Sequence, residues 1–402
     1  MKEKLKLAIV GLGSRGTSCF GEILKKRTDV EITAFCDPNG VRARAAAEIL
    51  GLSPRIYTSM DDMAAQEKLD GVIITAPDCC HHDCAVNALS HGWNVLIDKP
   101  LATSVADGRD IIRLAKETGK TVMIGFNLRH HPVLKRLKEI IDAGTLGKVF
   151  LAENREFYDG GRTYMSRWNR LFANTGGLWI HKASHDFDIF NWLLGFPKPL
   201  RVCSFAAVNV LDRDHLPFPL EAGHEPGPSC NVCHYSAVCK DRYLLSADGE
   251  KQWGPEAVAV DGYVKNRCMY LSDKDNHDNG LAMVEYENNI KVSLFETFIG
   301  SKNDRIYTIA GDRGVAEVSL SKRTITITPR WGGEVVTYHV GETDGGHGGA
   351  DPNLVETFCT VLRGEAAPGS TAEHGLLATA LGQAAEMSRR QHRMVEMSEL
   401  LV

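Results

Sequence analysis

The chain has 402 residues, enough for two or three ordinary domains and for a core that needs no disulfide or metal support. At 43% hydrophobic and 24% charged residues it has the balance of a globular protein, which excludes a disordered chain, a collagen-like repeat and a coiled coil. A formal net charge of −5, with no long run of either sign, argues against a nucleic-acid binder.

The N-terminus, Met1-Lys2-Glu3-Lys4, runs straight into an apolar strand without a signal-peptide pattern. No apolar run is long enough to span a membrane. Eleven cysteines scattered over so long a chain do not resemble a secreted disulfide framework. The expectation is a cytoplasmic protein.

Up to residue 125, apolar runs at Leu7–Val10, Ile32–Cys36, Gly71–Thr75, Asn94–Ile97 and Thr121–Gly125 alternate with helix-like stretches. The stretches lie at Ser18–Arg27, Val41–Leu50, Cys84–His91 and Val105–Thr118. This alternation predicts βαβ units around a parallel sheet, with ligands beyond the carboxyl ends of the strands. Residues Gly11-Leu12-Gly13-Ser14-Arg15-Gly16 follow the first strand and open a helix. Glycines there let the backbone approach a pyrophosphate that the helix N-terminus stabilises. Asp37 ends the second strand, where a carboxylate accepts from an adenosine ribose and repels a 2′-phosphate. NAD is therefore expected over NADP, with Arg15 and Arg42 leaving NADP open. Asp98-Lys99-Pro100 follows the Asn94–Ile97 strand, which puts Lys99 at the same edge of the sheet.

Beyond residue 126 the spacing predicts a helix over Val133–Ala143 and an alternating strand over Val149–Phe157. Residues 176–195 begin with Gly176-Gly177 and read as one helix. On it His181, His185 and Asp188 share a stripe beside a core stripe of Ala183, Phe187, Phe190 and Leu194. Three roles for that stripe stay open: hydrogen-bonded polar side chains, a zinc pair lacking a third ligand, and general acid–base chemistry. Leu211–Arg267 is rich in Pro, Gly and Cys and has little periodicity. Within it Cys230, Cys233 and Cys239, with Cys268 just beyond, offer four thiolates for a structural zinc; an iron–sulfur cluster or free thiols are the alternatives. The remaining seven cysteines read as small core residues.

A β-meander follows, with a tight turn at Asn288-Asn289 and strands over Arg305–Ala310, Val315–Leu320, Thr324–Thr328 and Val335–Val340. Asp351-Pro352 reads as an N-cap followed by a first-turn proline, opening a helical C-terminus. The fold class is thus α/β. A doubly wound parallel-sheet domain (1–125) precedes an α+β domain (126–402) on a large open, mainly antiparallel sheet. The second domain carries a Cys-rich insert at about 211–280 and helices from about 352.

Several of these features together resemble the Gfo/Idh/MocA family, which includes glucose–fructose oxidoreductase and inositol dehydrogenase. They are the glycine turn, Asp37, Thr75-Ala76-Pro77 with His81, Asp98-Lys99-Pro100, Gly-Gly leading to His-x-x-Asp, Arg129 and Pro132, and His347-Gly348-Gly349. The resemblance spans nearly the whole chain. It implies a Rossmann domain and a cofactor site of Gly11, Gly13, Ser14, Arg15, Gly16, Asp37, Thr75, Pro77, His81, Asp98, Lys99 and Asn127. It also implies that His185 removes a substrate hydroxyl proton while Lys99 touches cofactor and hydroxyl. Arg129, Tyr164, Arg167, Trp168 and Lys182 would lie near the substrate, although Trp168 equally suits a loop anchor.

Two positions depart from the family pattern. Asp98 replaces a glutamate, and His181 stands where many members carry aspartate. His181 would supply the extra acid–base group needed by a branch resembling NAD-retaining glycosidases, which oxidise the sugar transiently, eliminate the aglycone, add water and re-reduce. The leading expectation is an NAD-dependent oxidoreductase of a sugar, glycoside or cyclitol hydroxyl, assembled as a homodimer or homotetramer. A nucleotide-responsive regulator on an inactive fold is the non-enzymatic alternative, and it would tolerate loss of Lys99 and His185.

Overall fold

The computed structural model describes residues 3–300, 302–341 and 346–401; the side chains of Gly346 and His347 lie outside the description. Six parallel strands make the first sheet: β1 (Leu5–Val10), β2 (Val30–Cys36), β3 (Arg55–Tyr57), β4 (Gly71–Ile74), β5 (Asn94–Ile97) and β6 (Val122–Ile124). Their order is β3-β2-β1-β4-β5-β6, so the winding reverses between β1 and β4 and opens a crevice at their carboxyl ends. Both faces are covered, which is why β4 and β5 read as unbroken apolar runs: Val72, Ile73, Ile74, Val95, Leu96 and Ile97 are fully buried. Strand β3 has three residues, too few for a pattern to show.

Helices begin and end on chemistry visible in the chain. The Asn39 side chain accepts from Arg42 N at the start of the Gly40–Leu50 helix, and Gly51 ends it at φ +66°. Ser104 and Gly119 do the same for Val105–Thr118. The expected Ser18–Arg27 helix is different. It is a π-helical run, Gly16–Gly21, followed by a single turn at Glu22–Leu24. Gly16 packs so close to Gly11 that a Cβ would fall 2.2 Å from the Gly11 carbonyl oxygen, which ties the first turn to the glycine loop rather than to a later start.

The second sheet has nine strands in the order β14-β13-β12-β11-β7-β10-β9-β8-β15. They are β7 (Val149–Phe157), β8 (Pro199–Ala207), β9 (Asn279–Tyr286), β10 (Lys291–Thr297), β11 (Asp304–Gly311), β12 (Gly314–Ser319), β13 (Thr324–Pro329), β14 (Val336–His339) and β15 (Val395–Glu396). Only the β7–β10 pair is parallel. Asn288 and Asn289 take φ of +59° and +57° in the β9–β10 turn, as their side chains permit. One face carries the Ser184–Leu193 and Ala372–Gln391 helices; Asn154 on β7 donates to Asp186, and Ser204 on β8 donates to the Ala385 carbonyl. On the other face Leu151, Phe205, Leu281 and Met283 are exposed.

The C-terminus departs from expectation. The helix runs Gly346–Leu362 with Pro352 inside it, so Asp351-Pro352 does not open it. Gly348 and Gly349 take φ of +64° and +85°, so the carbonyl four residues before Pro352 is not in a regular helical turn and the ring is accommodated. Asp351 instead accepts from Asn127 and Arg15. Leu354, Val355, Phe358 and Cys359 share a core with Leu7, Ile9 and Phe20, so this helix belongs in space to the first sheet.

The insert is not wholly irregular either. Helices at Ala247–Trp253 and Pro255–Asp261, each too short to show a period, dock against the Gly40–Leu50 helix. Asn39 donates there to the Ala257 carbonyl at 2.9 Å. Among the described residues no helix is long and apolar enough to cross a membrane.

Candidate active site

A cavity of about 750 Å³ opens where β1, β4 and β5 end, and the second sheet and the insert close its far side. Its floor is the glycine loop. Gly11 sits at φ +88°, and a Cβ there would come within 2.5 Å of Ala76 N, so this backbone conformation and approach require glycine. Thr75 donates its hydroxyl to the Gly11 carbonyl at 2.5 Å, locking the loop to the end of β4. His81 is buried with its ring nitrogens 2.7 Å from Pro100 O and 3.0 Å from Ala76 O, and so ties together the chain after β4 and β5. Asp37 accepts from Leu12 N and Asn39 N, both at 2.8 Å, and burial raises its pKa. Gly13, Ser14, Arg15, Pro77, Asp98 and Asn127 also line the cavity. A close-packed glycine cradle with a carboxylate at the end of β2 fits the phosphates and adenosine ribose of a dinucleotide.

Asp98 turns away from Lys99. Its oxygens take Arg15 Nε at 2.7 Å and Nη2 at 3.2 Å, and Arg15 also reaches Asp351 at 3.2 Å. Lys99 Nζ instead donates to the His181 carbonyl at 2.5 Å. Burial, only partly offset by Asp78 and Asp98, brings its pKa down to about 8.

The single helix expected within 176–195 is broken into Leu178–His181 and Ser184–Leu193. Both His181 and His185 line the cavity, but Asp188 does not join them. It takes Arg129 Nη2 at 2.6 Å and Nε at 2.8 Å, while Arg129 Nη1 donates to Gly369 O at 2.7 Å. Arg129 and Asp188 are therefore a buried, bidentate pair outside the cavity, and Arg129 is not at the substrate's place.

His181 has a carboxylate the sequence did not reveal. Its Nδ1 lies 2.6 Å from Asp78 Oδ2, and Asn169 Nδ2 lies 3.2 Å from its Nε2. Burial, reinforced by Lys99 and Lys182, holds the imidazole pKa well below its ordinary value, whereas burial pushes Asp78 up to about 7. Asn169 donating to Nε2 fixes the tautomer with the proton on Nδ1. The rings of Tyr164 and Trp168 meet His181 edge-on, at 5.6 and 5.3 Å between centroids. The His185 ring lies edge-on to Phe126 at 6.4 Å.

The second sheet contributes residues no motif announced. Glu156 of β7 pairs with Lys182 at 2.8 Å and with Arg305 of β11 at 2.9 Å; Arg305 also reaches Asp186 at 3.0 Å. Lys182 lies over the Tyr158 ring at 4.3 Å. Glu156, Tyr158, Lys182 and Arg305 form the wall facing His181 and Lys99. Inward-pointing polar residues on strands, here Glu156 and Arg305, give the sequence signal of an ordinary alternating strand, so no motif marks them. Arg167 and Trp168 line the cavity as expected, together with Trp253, Tyr263 and Lys265 of the insert.

The four cysteines lie near one another, but the structure lends no support to the expected zinc site. Cys230 Sγ accepts from Tyr243 N at 3.4 Å, and Cys268 N donates to Pro228 O at 2.9 Å, but the four sulfurs do not converge on a common point. Among the described residues, the one set of three potential ligand atoms within 4.8 Å of one another is Glu221, His224 and His234, all exposed.

Comparison with known proteins agrees with this geometry. Residues 5–126 match the profile of an oxidoreductase family with an NAD-binding Rossmann fold, and 138–397 match that family's C-terminal alpha/beta domain. YteT of Bacillus subtilis, named as an oxidoreductase, is 29% identical over 98% of each chain. Inositol 2-dehydrogenase of Salmonella typhimurium is 31% identical over 47% of this chain and 54% of its own. The WlbA dehydrogenase of Bordetella pertussis, solved with NADH and UDP-GlcNAcA, has the same fold, with a TM-score of 0.70, 19% identity and coverage of 98% and 99%. The chain belongs to the Gfo/Idh/MocA family of NAD-binding oxidoreductases.

Proposed function

We propose that the protein transfers hydride between NAD and a secondary hydroxyl of a sugar, glycoside or cyclitol. The observation carrying this reading is that Lys99 and His185 face one cavity beside the glycine cradle. Bound NAD supplies the hydride acceptor. His185 takes the hydroxyl proton, and the Lys99 ammonium steadies the negative charge that develops on the oxygen. Trp168 and Tyr164 offer ring surface to a sugar, and Lys182, Glu156 and Arg305 offer polar groups to its remaining hydroxyls. The similarity to an inositol 2-dehydrogenase supports the polyhydroxylated ring as the substrate class. Asp37 at the ribose end favours NAD; Arg42, paired with both Asp37 and Asp261, has little charge left for a 2′-phosphate.

The Asp78–His181 pair favours a second reading, redox-neutral glycoside cleavage with retained NAD. An imidazole backed by a carboxylate can move the carbon-bound proton beside a transient ketone, a task that simple dehydrogenation does not require. Offering the protein a panel of inositols, sugars and aryl glycosides, with nicotinamide absorbance and products followed together, separates the two. NADH appearing in proportion to a ketone supports the first reading, whereas aglycone release without net NADH supports the second. We further propose that the apolar outer face of the second sheet joins copies of this chain into a dimer or tetramer.

A further inference from the structure

We propose that Lys265 and Arg167 form a second phosphate site, delivered from outside the Rossmann domain, that grips the pyrophosphate of the dinucleotide against the glycine loop. This rests on the NAD reading above and adds a wall of the site that neither the glycine motif nor the family match assigns.

Lys265 is 5% exposed, and its Nζ donates to Ser14 Oγ, inside the glycine loop, at 3.1 Å. It lies over the indole of Trp253, which does not neutralise it. Among the described residues no carboxylate pairs with Lys265, and the charges that act on it are the cations Arg167 and Arg42. Burial, with those two cations, brings its pKa down to about 6. Arg167 lines the same cavity, stacked over Tyr243 at 5.5 Å; no carboxylate among the described residues pairs with it, and its buried Nε has no hydrogen-bond partner.

Arg42 is a contrasting case, since Asp37 at 3.3 Å and Asp261 at 2.7 Å already balance it. A buried cation is costly unless it is paired. Lys265 is such a group and sits on Ser14, where a dinucleotide's phosphates lie; half-buried Arg167 lines the same cavity and acts on Lys265, and together the two call for a dianion. The wall that carries Lys265 is held in place: Gln252 donates to Leu12 O at 3.2 Å and to Thr17 Oγ1 at 2.7 Å.

The test measures binding of NAD⁺, ADP-ribose (pyrophosphate without nicotinamide) and adenosine (no phosphate) to the wild type, Lys265→Met and Arg167→Met. Lys265→Met is expected to weaken NAD⁺ and ADP-ribose at least tenfold while leaving adenosine unchanged. Because a desolvated cation is removed, the melting temperature of the free protein should not fall. Arg167→Met should shift affinities in the same direction. Wild-type protein should also take up protons when ADP-ribose binds near neutral pH, read by calorimetry in buffers of different ionisation enthalpy. Lys265→Gln stands in should Lys265→Met not fold, and loss of the uptake in the variant assigns the proton to Lys265 rather than to Asp78 or Lys99. Unchanged affinity of Lys265→Met for NAD⁺ and ADP-ribose, or no proton uptake in the wild type, overturns the proposal while leaving the NAD reading intact. Wild-type protein that fails to bind NAD⁺ overturns both.

Discussion

Lys99 and His181 share one small volume, and each tunes the other. The lysine holds the carbonyl of His181 and helps keep its imidazole neutral. Asp98 hydrogen-bonds Arg15 and not Lys99, and burial, only partly offset by the charges of Asp78 and Asp98, keeps the ammonium less basic than usual. Its charge is present below about pH 8 and is lost above it. A reaction that uses this cation to steady an oxyanion therefore slows as pH rises through about 8. The pH profile of kcat/KM at saturating NAD should show that alkaline limb; a rate still climbing well past pH 8 would contradict the role given to Lys99. Asp37 and Lys99 were legible in the sequence because each follows a strand that fixes its place at the sheet edge, and His185 because helical spacing sets its face. Asp78, Glu156 and Lys265 were not, because their partners come from segments far away in the chain.

The segment from Gly176-Gly177 to Gly195 is helical, as its spacing predicts, but it is two helices and not one rod. The break between His181 and Ser184 sends Asp188 toward Arg129, where it joins the turn after β6 to the Ser184–Leu193 helix. Truncating one partner of a buried pair strands the other charge, which costs about 3–5 kcal/mol. Asp188→Ala should therefore lower the urea midpoint of unfolding by a corresponding amount, whereas KM changes in the remaining folded enzyme stay small. A large KM effect with normal stability would return Arg129 and Asp188 to the substrate site. The strands of the meander were legible from alternation and turn residues. The short insert helices were not, since seven residues make only two turns.

The whole molecule is two sheets meeting at a cavity, with the insert closing the cofactor side. Alternation of strands and helices, then of strands and turns, showed that there are two sheets and most of their strands, but not β3, β8 or β15. The C-terminal helix that crosses back to pack on the first sheet was not foreseeable, because packing partners leave no periodic trace. The outer face of the second sheet carries Phe205 (65% exposed) and Met283 (54% exposed), an apolar surface suited to a second copy. Met283→Asp should shift the assembly to monomer by light scattering without lowering its melting temperature; an unchanged mass would exclude this face as the interface.

Hydride transfer in this site depends on His185 taking the hydroxyl proton. It is tested most directly by mixing the best polyol or sugar from the panel with NAD⁺-loaded wild-type and His185→Asn protein and following nicotinamide reduction in a single turnover. The wild type should reduce NAD⁺, and the variant should do so at a rate at least about 100-fold lower, with NAD⁺ affinity unchanged. Equal rates in the two proteins would contradict that role of His185.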